Sequence, residues 1–288
     1  MKKLLSLIFL FPFFASSQTE NCLLWKITSS KSAETSYLFG TIHSNDSLLN
    51  TFDSTWWNAF NSCETMASEV NMTDMNEILA SFSTSMMKDH VLSDFYSETE
   101  FERVQKFMLE HLDPMSATIV SKMKPFYIMA AIMELPTSDG PYLEIMDMRL
   151  QMLAKENGKS VIGLETSTEQ AASIDVISLE EQAKLLLEYV DHGHEMNTDL
   201  KVMESFYLKQ QLDSLASMEM QSEIPEALMA SLLEGRNIRF VEKLIPFIND
   251  GSVFCGVGAL HLPGNTGLIA QLRKRGFQVE PVRFKFEN

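Results

Sequence analysis

The chain has 288 residues, of which 45% are hydrophobic and 22% are charged, as in ordinary globular proteins. Its formal net charge of −16 argues against a surface that binds nucleic-acid phosphates or an anionic membrane, because both need a basic patch. We therefore expect a folded protein with no nucleic-acid partner. The same excess of carboxylates suits the binding of a cation.

The N-terminus has the pattern of a secretory signal peptide. Two lysines precede an apolar stretch from Leu4 to Phe14, and three small residues follow it, which predicts cleavage after Ser17. The stretch is shorter than the roughly 20 residues that span a membrane. We therefore expect residues 1–17 to be removed and residues 18–288 to be exported, either periplasmic or secreted, without a stable membrane anchor.

Short apolar segments predict six strands, and amphipathic spacing predicts helices between them. The residues from about 75 to 250 are helical in pattern except for one strand. We predict an α/β fold in one domain, 18–288, whose mixed central sheet comes from two strand-rich ends around a large helical insertion. The predicted strands cover 22–27, 36–42, 65–70, 160–165, 252–260 and 277–286.

Helix signals are clearest in the second half of the chain. Ser178 followed by Glu181 has the pattern of a capping box that opens a helix. The segment DHGHE, residues 191–195, is predicted to be a helix-terminating turn. A last helix, in NTGLIAQLRKRG, is predicted to end at Gly276.

The two strand-rich ends carry the same motif. Gly40 and His43 end one predicted strand, and Gly258 and His261 end another, both with Gly-x-x-His spacing. A glycine at a strand end permits a positive φ or a close approach of another segment. Ligands of open α/β sheets bind beyond the carboxyl ends of strands, so we expect both histidines near one site if their strands are neighbours.

Two imidazoles and a carboxylate form a common set of metal ligands. Glu69 is the candidate carboxylate, because its strand is expected to lie beside the strand of the first motif. Asp46 could be a further ligand or could orient the ring of His43. The alternative is structural: each histidine would be a hydrogen-bonded strand-end residue, and Glu69 would act in a cap or a salt bridge.

Several segments in this order resemble the TraB/GumN family, which includes the TIKI proteases. They are SYLFGTIHSND, ASEVN, GKSVIGLETSTEQ, GRNIRF and GVGALHLPGNTGLIAQLRKRGFQVEPV. The resemblance implies an α/β fold related to erythromycin esterase and to the haem-binding ChaN proteins. It also implies a metal-dependent peptidase activity, with manganese or cobalt as the favoured cofactor and zinc as another candidate.

The resemblance also implies site residues. His43, His261 and Glu69 would hold the metal, and Glu69 would share catalysis with Arg236 and Asn237 of the GRNIRF segment. The family motif often reads Glu-Arg-Asn-x-x-Trp, and this chain departs from it at both ends, with glycine and phenylalanine. An alternative role for Arg236 is a salt bridge to an acidic residue at the edge of the core.

Two functions follow as hypotheses. The first is an exported metal-dependent hydrolase whose substrate is a peptide or protein. The second is a binding or regulatory protein that holds a metal, haem or a peptide without turnover.

The three cysteines permit one disulfide, for which Cys22 with Cys63 is the candidate pair, and Cys255 is expected to be a small buried residue. The oligomeric state is not predicted.

Overall fold

The computed structural model describes residues 21–42, 51–133, 146–219 and 224–287. In these residues the fold is mixed α/β, with one six-stranded sheet and 12 α-helices. The sheet order is β4-β3-β5-β2-β1-β6. The strands are β1 (Leu24–Ser29), β2 (Ser32–Thr41), β3 (Thr65–Ser68), β4 (Ser160–Gly163), β5 (Val253–Gly258) and β6 (Gln278–Pro281).

The middle of the sheet is parallel. β5 pairs with β2 on one side and with β3 on the other, and β3 pairs with β4, all in parallel register. β5 is buried along its length, apart from a partly exposed final glycine, as expected of an apolar run covered on both faces. The two Gly-x-x-His strands are therefore neighbours. The prediction that the Glu69 strand lies beside the first motif is wrong, because β5 separates β3 from β2.

All six predicted strands are present, and their boundaries differ most from the predicted ones at β2 and β6. β2 begins at Ser32 rather than residue 36, because it pairs with β1 in an antiparallel hairpin that extends through polar residues. That pairing depends on backbone hydrogen bonds, which apolar spacing does not report. β6 ends at Pro281, and beyond it Phe286 makes an isolated bridge with Phe52.

Helices cover the sheet and fill the region between β3 and β5. Ser178 and Glu181 form the predicted capping box of α8. The predicted turn at 191–195 is wrong, because α8 continues as one helix to Leu208. The helices are α1 (Ser54–Asn61), α2 (Met75–Ser85), α3 (Glu98–His111), α4 (Pro114–Val120), α5 (Pro125–Met133), α6 (Met146–Glu156), α7 (Ser167–Ile174), α8 (Leu179–Leu208), α9 (Leu212–Glu219), α10 (Glu226–Ala230), α11 (Arg236–Asp250) and α12 (Leu268–Lys274).

The described residues contain two hydrophobic clusters. The larger one joins the sheet to α1, α6, α9, α11 and α12. The smaller one lies within the helical region and is formed by α3, α4, α5 and α8. The helical region thus buries apolar surface of its own, while α11 returns the chain to the sheet just before β5.

The last helix ends as predicted, whereas the candidate disulfide is not formed. The helix α12 is followed by Gly276 at φ +89°, which is the predicted left-handed terminator. Cys22, Cys63 and Cys255 are all buried free thiols, so the candidate pair Cys22 and Cys63 is not bonded. Of the helices in the described ranges, none has both the length and the apolar character needed to cross a membrane.

Candidate functional site

Polar side chains gather where the parallel strands end. Glu69 directly follows β3, Glu165 lies two residues after β4, and His261 lies in a 3-10 turn after β5. α11 begins with Arg236 and Asn237, whose side chains reach the same place. The carboxyl edge of the sheet is thus the candidate site, as the general behaviour of open α/β sheets predicts.

The glycines of both motifs are required by close approach. A Cβ on Gly40 would lie 3.0 Å from the Cα of Ala259, in the turn of the second motif. A Cβ on Gly258 would lie 3.3 Å from Oε1 of Glu69. Neither glycine has a positive φ. The structure therefore shows that glycine is needed at both positions because another segment approaches closely, and not because of a positive φ.

The carboxylate of Glu69 is held on both oxygens. Oε1 accepts a hydrogen bond from the backbone N–H of Gly258 at 2.8 Å, and Oε2 accepts one from Nη2 of Arg236. Only 15% of the side chain is exposed. Glu69 therefore connects the end of β3 to the second Gly-x-x-His motif, which lies on the adjacent strand.

Arg236 forms a second, fully buried ion pair with Glu165. Oε1 of Glu165 accepts from Nε of Arg236 at 2.8 Å and from Nη2 at 2.6 Å, while Arg239 reaches its other oxygen at 3.3 Å. Burial raises the pKa of Glu165, and the positive charge of Arg236 opposes this shift. For Arg236, burial acts to lower the pKa, but the two carboxylates outweigh it, so its pKa is raised.

His261 has a defined orientation. Nδ1 lies 2.7 Å from Oδ1 of Asn237, while Nδ2 of Asn237 donates to the carbonyl of Thr266 at 3.1 Å. Because that carbonyl fixes the direction of the amide, Oδ1 must be the acceptor and Nδ1 must carry the proton. Nε2 of His261 then lies 3.5 Å from Oε1 of Glu69 and 3.4 Å from Nη1 of Arg236.

A π-helical turn, Ser231–Gly235, sets the direction of Arg236 and Asn237. It joins α10 to α11, and Nη1 of Arg236 donates to the carbonyl of Leu232 within it at 3.2 Å. Such turns within α-helices often occur at functional sites. Phe240, one turn further on, is fully buried and packs its ring 5.1 Å from that of His261 and 5.2 Å from the guanidinium of Arg236.

The structure brings together four of the five predicted site residues: Glu69, Arg236, Asn237 and His261. The fifth, His43, lies outside the described residues, as does Asp46. Glu165 was not predicted as a site residue, although it follows β4 closely in the same way that Glu69 follows β3. The alternative role of Arg236, a salt bridge to acidic residues, is present, with Glu69 and Glu165 as its partners.

A family model matches most of the chain. The model of the TraB/PrgY/gumN family matches residues 23–281, which is most of the chain. The chain belongs to the TraB/PrgY/gumN family. Comparison with curated proteins and with solved structures gives no match.

A divalent cation in this TraB/PrgY/gumN protein would need several imidazole or carboxylate ligands. Within residues 21–42, 51–133, 146–219 and 224–287, no group of three or more His, Cys, Asp or Glu side chains is placed to hold a metal ion. Two suitable donors do face each other, namely Nε2 of His261 and Oε1 of Glu69. Asn237 orients His261 as the partners of metal-binding histidines commonly do. The chemistry of this donor pair suits a cation.

A cavity of about 580 Å³ lies elsewhere in the TraB/PrgY/gumN fold, between the C-terminal end of α2, α7 and the start of α8. None of the four site residues lines it. The cavity is therefore separate from the candidate site, which consists of the buried charges and the oriented His261.

Proposed function

We propose that the chain is an exported metal-dependent hydrolase that acts on peptide bonds. His43, His261 and Glu69 would hold a divalent cation, with manganese or cobalt favoured and zinc as a third candidate. The observation that carries the proposal is the orientation of His261: Asn237 holds the proton on Nδ1, so that Nε2 faces the carboxylate of Glu69. A ring nitrogen that faces a carboxylate is an arrangement typical of metal sites.

A divalent cation supplies two things to such a reaction, a lowered pKa for a bound water and polarisation of the scissile carbonyl. The chain's own residues would prepare the site for it. The N–H of Gly258 and the guanidinium of Arg236 hold the carboxylate of Glu69 in one orientation. The side chain of Glu69 would therefore need no reorientation before the reaction.

Arg236 and Asn237 are proposed to have different roles. Asn237 is engaged by His261 and by Thr266, which suits a residue that positions the imidazole. Nη1 of Arg236 points toward Nε2 of His261 at 3.4 Å, which places a positive charge beside the proposed reaction centre. Arg236 is therefore our candidate for stabilising the oxyanion that forms during hydrolysis.

The test is hydrolysis of a fluorogenic peptide library by protein reloaded with manganese or cobalt. We expect turnover by the parent chain and loss of at least about a hundredfold in His43→Ala and Glu69→Gln, the scale seen when a reaction-stabilising group is removed. His111→Ala is the control, because His111 is exposed and contacts its own helix. Equal turnover in all four proteins would refute the proposal.

A second candidate function is binding without turnover, of a metal, haem or a peptide. The observation that favours it is that Arg236 pairs with both Glu69 and Glu165, which reduces the negative charge offered to a cation. A haem titration separates the two functions. A Soret shift that is lost in His261→Ala, without peptide hydrolysis, would favour the binding protein.

The fold relationship, the location and the partner of the chain are also proposals. We propose a fold related to erythromycin esterase and to ChaN proteins, and a mature chain that is periplasmic or secreted. The partner would be a peptide or protein substrate rather than a nucleic acid, consistent with the net charge of −16. No stable membrane anchor is expected after cleavage at Ser17.

A further inference from the structure

The helix α2 presents large apolar side chains to solvent. Four of them, at positions i, i+3, i+4 and i+7, share one side of the helix and are called the α2 stripe. They are 64%, 37%, 61% and 55% exposed, in the order Met75, Ile78, Leu79 and Phe82. The opposite, less exposed side carries small or polar residues: Glu77, Ala80, Ser81 and Thr84. In contrast, α11 buries its large apolar side chains: Phe240, Val241, Leu244 and Ile248.

Hydrogen bonds hold α2 in this orientation. In the middle of the helix, the carboxylate of Glu77 accepts from the N–H of Ser167 at 2.7 Å, and the carbonyl of Glu77 accepts from the Ser167 hydroxyl at 2.9 Å. At the end of the helix, the carbonyl of Ser85 accepts from the N–H of Lys124 at 2.7 Å. Because Ser167 begins α7, the α2 stripe faces away from that helix.

The α2 stripe has little charge around it. α2 contains one charged residue, Glu77, which is bonded to Ser167 on the other side of the helix. The N-cap Asp74 accepts from the N–H of Asn76 at 2.9 Å. An apolar centre with a polar rim is typical of a protein interface. An anionic lipid surface fits less well, because helices that lie on such membranes carry lysine or arginine, and α2 has neither.

A second copy of the chain is the partner that these features fit. When two α2 stripes pack antiparallel about a twofold axis, Ile78 and Leu79 lie at the centre, because they are the middle of each stripe. The two Asp74 carboxylates then lie at opposite ends, so like charges are kept apart. Two stripes with their rims would bury roughly 800 Å², at the low end of interface sizes, which fits a weak dimer.

We propose that the α2 stripe is the contact surface of a weak homodimer, in which each copy covers the stripe of the other. The inference does not rest on the proposed function, because it involves neither the metal nor hydrolysis.

The experiment is sedimentation equilibrium of the mature chain over a range of concentrations. We expect a dimer with a Kd of roughly 10–100 μM, since interfaces of about twice this size bind at micromolar affinity or better. Leu79→Glu should raise the Kd at least about tenfold, because it places two carboxylates at the centre of the interface. Higher salt should strengthen the parent dimer, since it screens the repulsion between two acidic chains.

Leu109→Glu is the matched control. Leu109 is an exposed leucine on α3, 51% exposed against 61% for Leu79, and its replacement should leave the Kd unchanged. Urea unfolding verifies the fold of each variant, which exposed positions normally tolerate. Phe82→Glu replaces Leu79→Glu if the latter does not fold.

Cysteine cross-linking tests the contact itself. In a twofold dimer of this kind Leu79 meets Leu79 of the other copy, so Leu79→Cys should form a disulfide-linked dimer with oxidised glutathione as the oxidant. Leu109→Cys should stay monomeric under the same conditions. The three native thiols are buried and should not compete.

Three results would each overturn the inference. One is a parent that stays monomeric well above the expected Kd, whether or not it binds vesicles of phosphatidylcholine; vesicle binding lost in Leu79→Glu would assign the stripe to a lipid surface instead. Another is an equal rise in Kd for Leu79→Glu and Leu109→Glu, which would place the contact elsewhere. The last is cross-linking of Leu79→Cys that is no faster than that of Leu109→Cys.

Discussion

Nδ1 of His261 donates a hydrogen bond to Oδ1 of Asn237 across 2.7 Å, and both residues are buried. The two residues come from the turn after β5 and from the first turn of α11, so the contact joins the second Gly-x-x-His motif to the GRNIRF segment. It fixes the tautomer of the imidazole, and thereby determines which nitrogen faces Glu69.

The first prediction concerns that tautomer. Nitrogen-15 NMR of the histidine ring should show the neutral His261 with its proton on Nδ1 at pH 8. In Asn237→Leu the signal should change to a mixture of tautomers, and the free energy of unfolding should fall by about 1–3 kcal/mol, since a buried donor loses its acceptor. A parent spectrum with the proton on Nε2 would contradict our assignment of the hydrogen bond.

The second prediction concerns the buried ion pairs. Arg236→Met leaves Glu165 buried without its main partner, so the free energy of unfolding should fall by roughly 3–5 kcal/mol. Adding Glu165→Gln should recover part of this loss, because the uncompensated charge is then removed. Urea unfolding measures both effects.

An exposed ion pair provides the control for this prediction. Arg103 bonds Asp191 at 2.9 Å on the surface, and Arg103→Met should leave the urea midpoint almost unchanged. Similar losses in Arg103→Met and Arg236→Met would show that the buried network has no special importance for stability.

Much of this arrangement could be predicted from the sequence. The six strands could be predicted because buried strands are short, largely apolar runs, and His261 could be predicted because its motif repeats that of His43. The order of the strands could not be predicted in this way. β3 lies beside β5 through tertiary pairing, about which the spacing of apolar residues gives no information. Glu165 was missed for a related reason, since its importance depends on Arg236, 71 residues away.

The third prediction concerns the pH dependence of stability at Cys63. Burial raises the pKa of this thiol to about 11 from an ordinary value of 9.0. The protonated thiol is favoured in the folded state, so its contribution to stability is complete below pH 9 and is lost as the pH rises toward 11. The loss at the upper end is roughly 3 kcal/mol for a shift of this size.

Cys63→Ala is the comparison for this prediction. It should lose less stability than the parent between pH 8 and pH 10.5, because other titrating groups affect both proteins equally. The measurement is urea unfolding at the two pH values. Identical losses in parent and variant would contradict a raised pKa at Cys63.

The fourth prediction concerns export. When the full chain is expressed in a bacterium with a functioning secretory pathway, the protein recovered outside the cytoplasm should begin at Gln18. Replacing Leu7 and Leu5 by aspartate should retain the uncleaved chain in the cytoplasm, because the apolar stretch is then interrupted. N-terminal sequencing decides, and an exported chain that still begins at Met1 would exclude cleavage after Ser17.

The most direct test of the account is the metal content of the protein, measured by elemental analysis. The protein is purified without chelator and reconstituted with manganese, cobalt or zinc, alongside His43→Ala and His261→Ala. We predict close to one divalent ion per parent chain and little in either variant, because both histidines serve one site. A folded parent that holds no metal under any of these conditions would contradict the central claim.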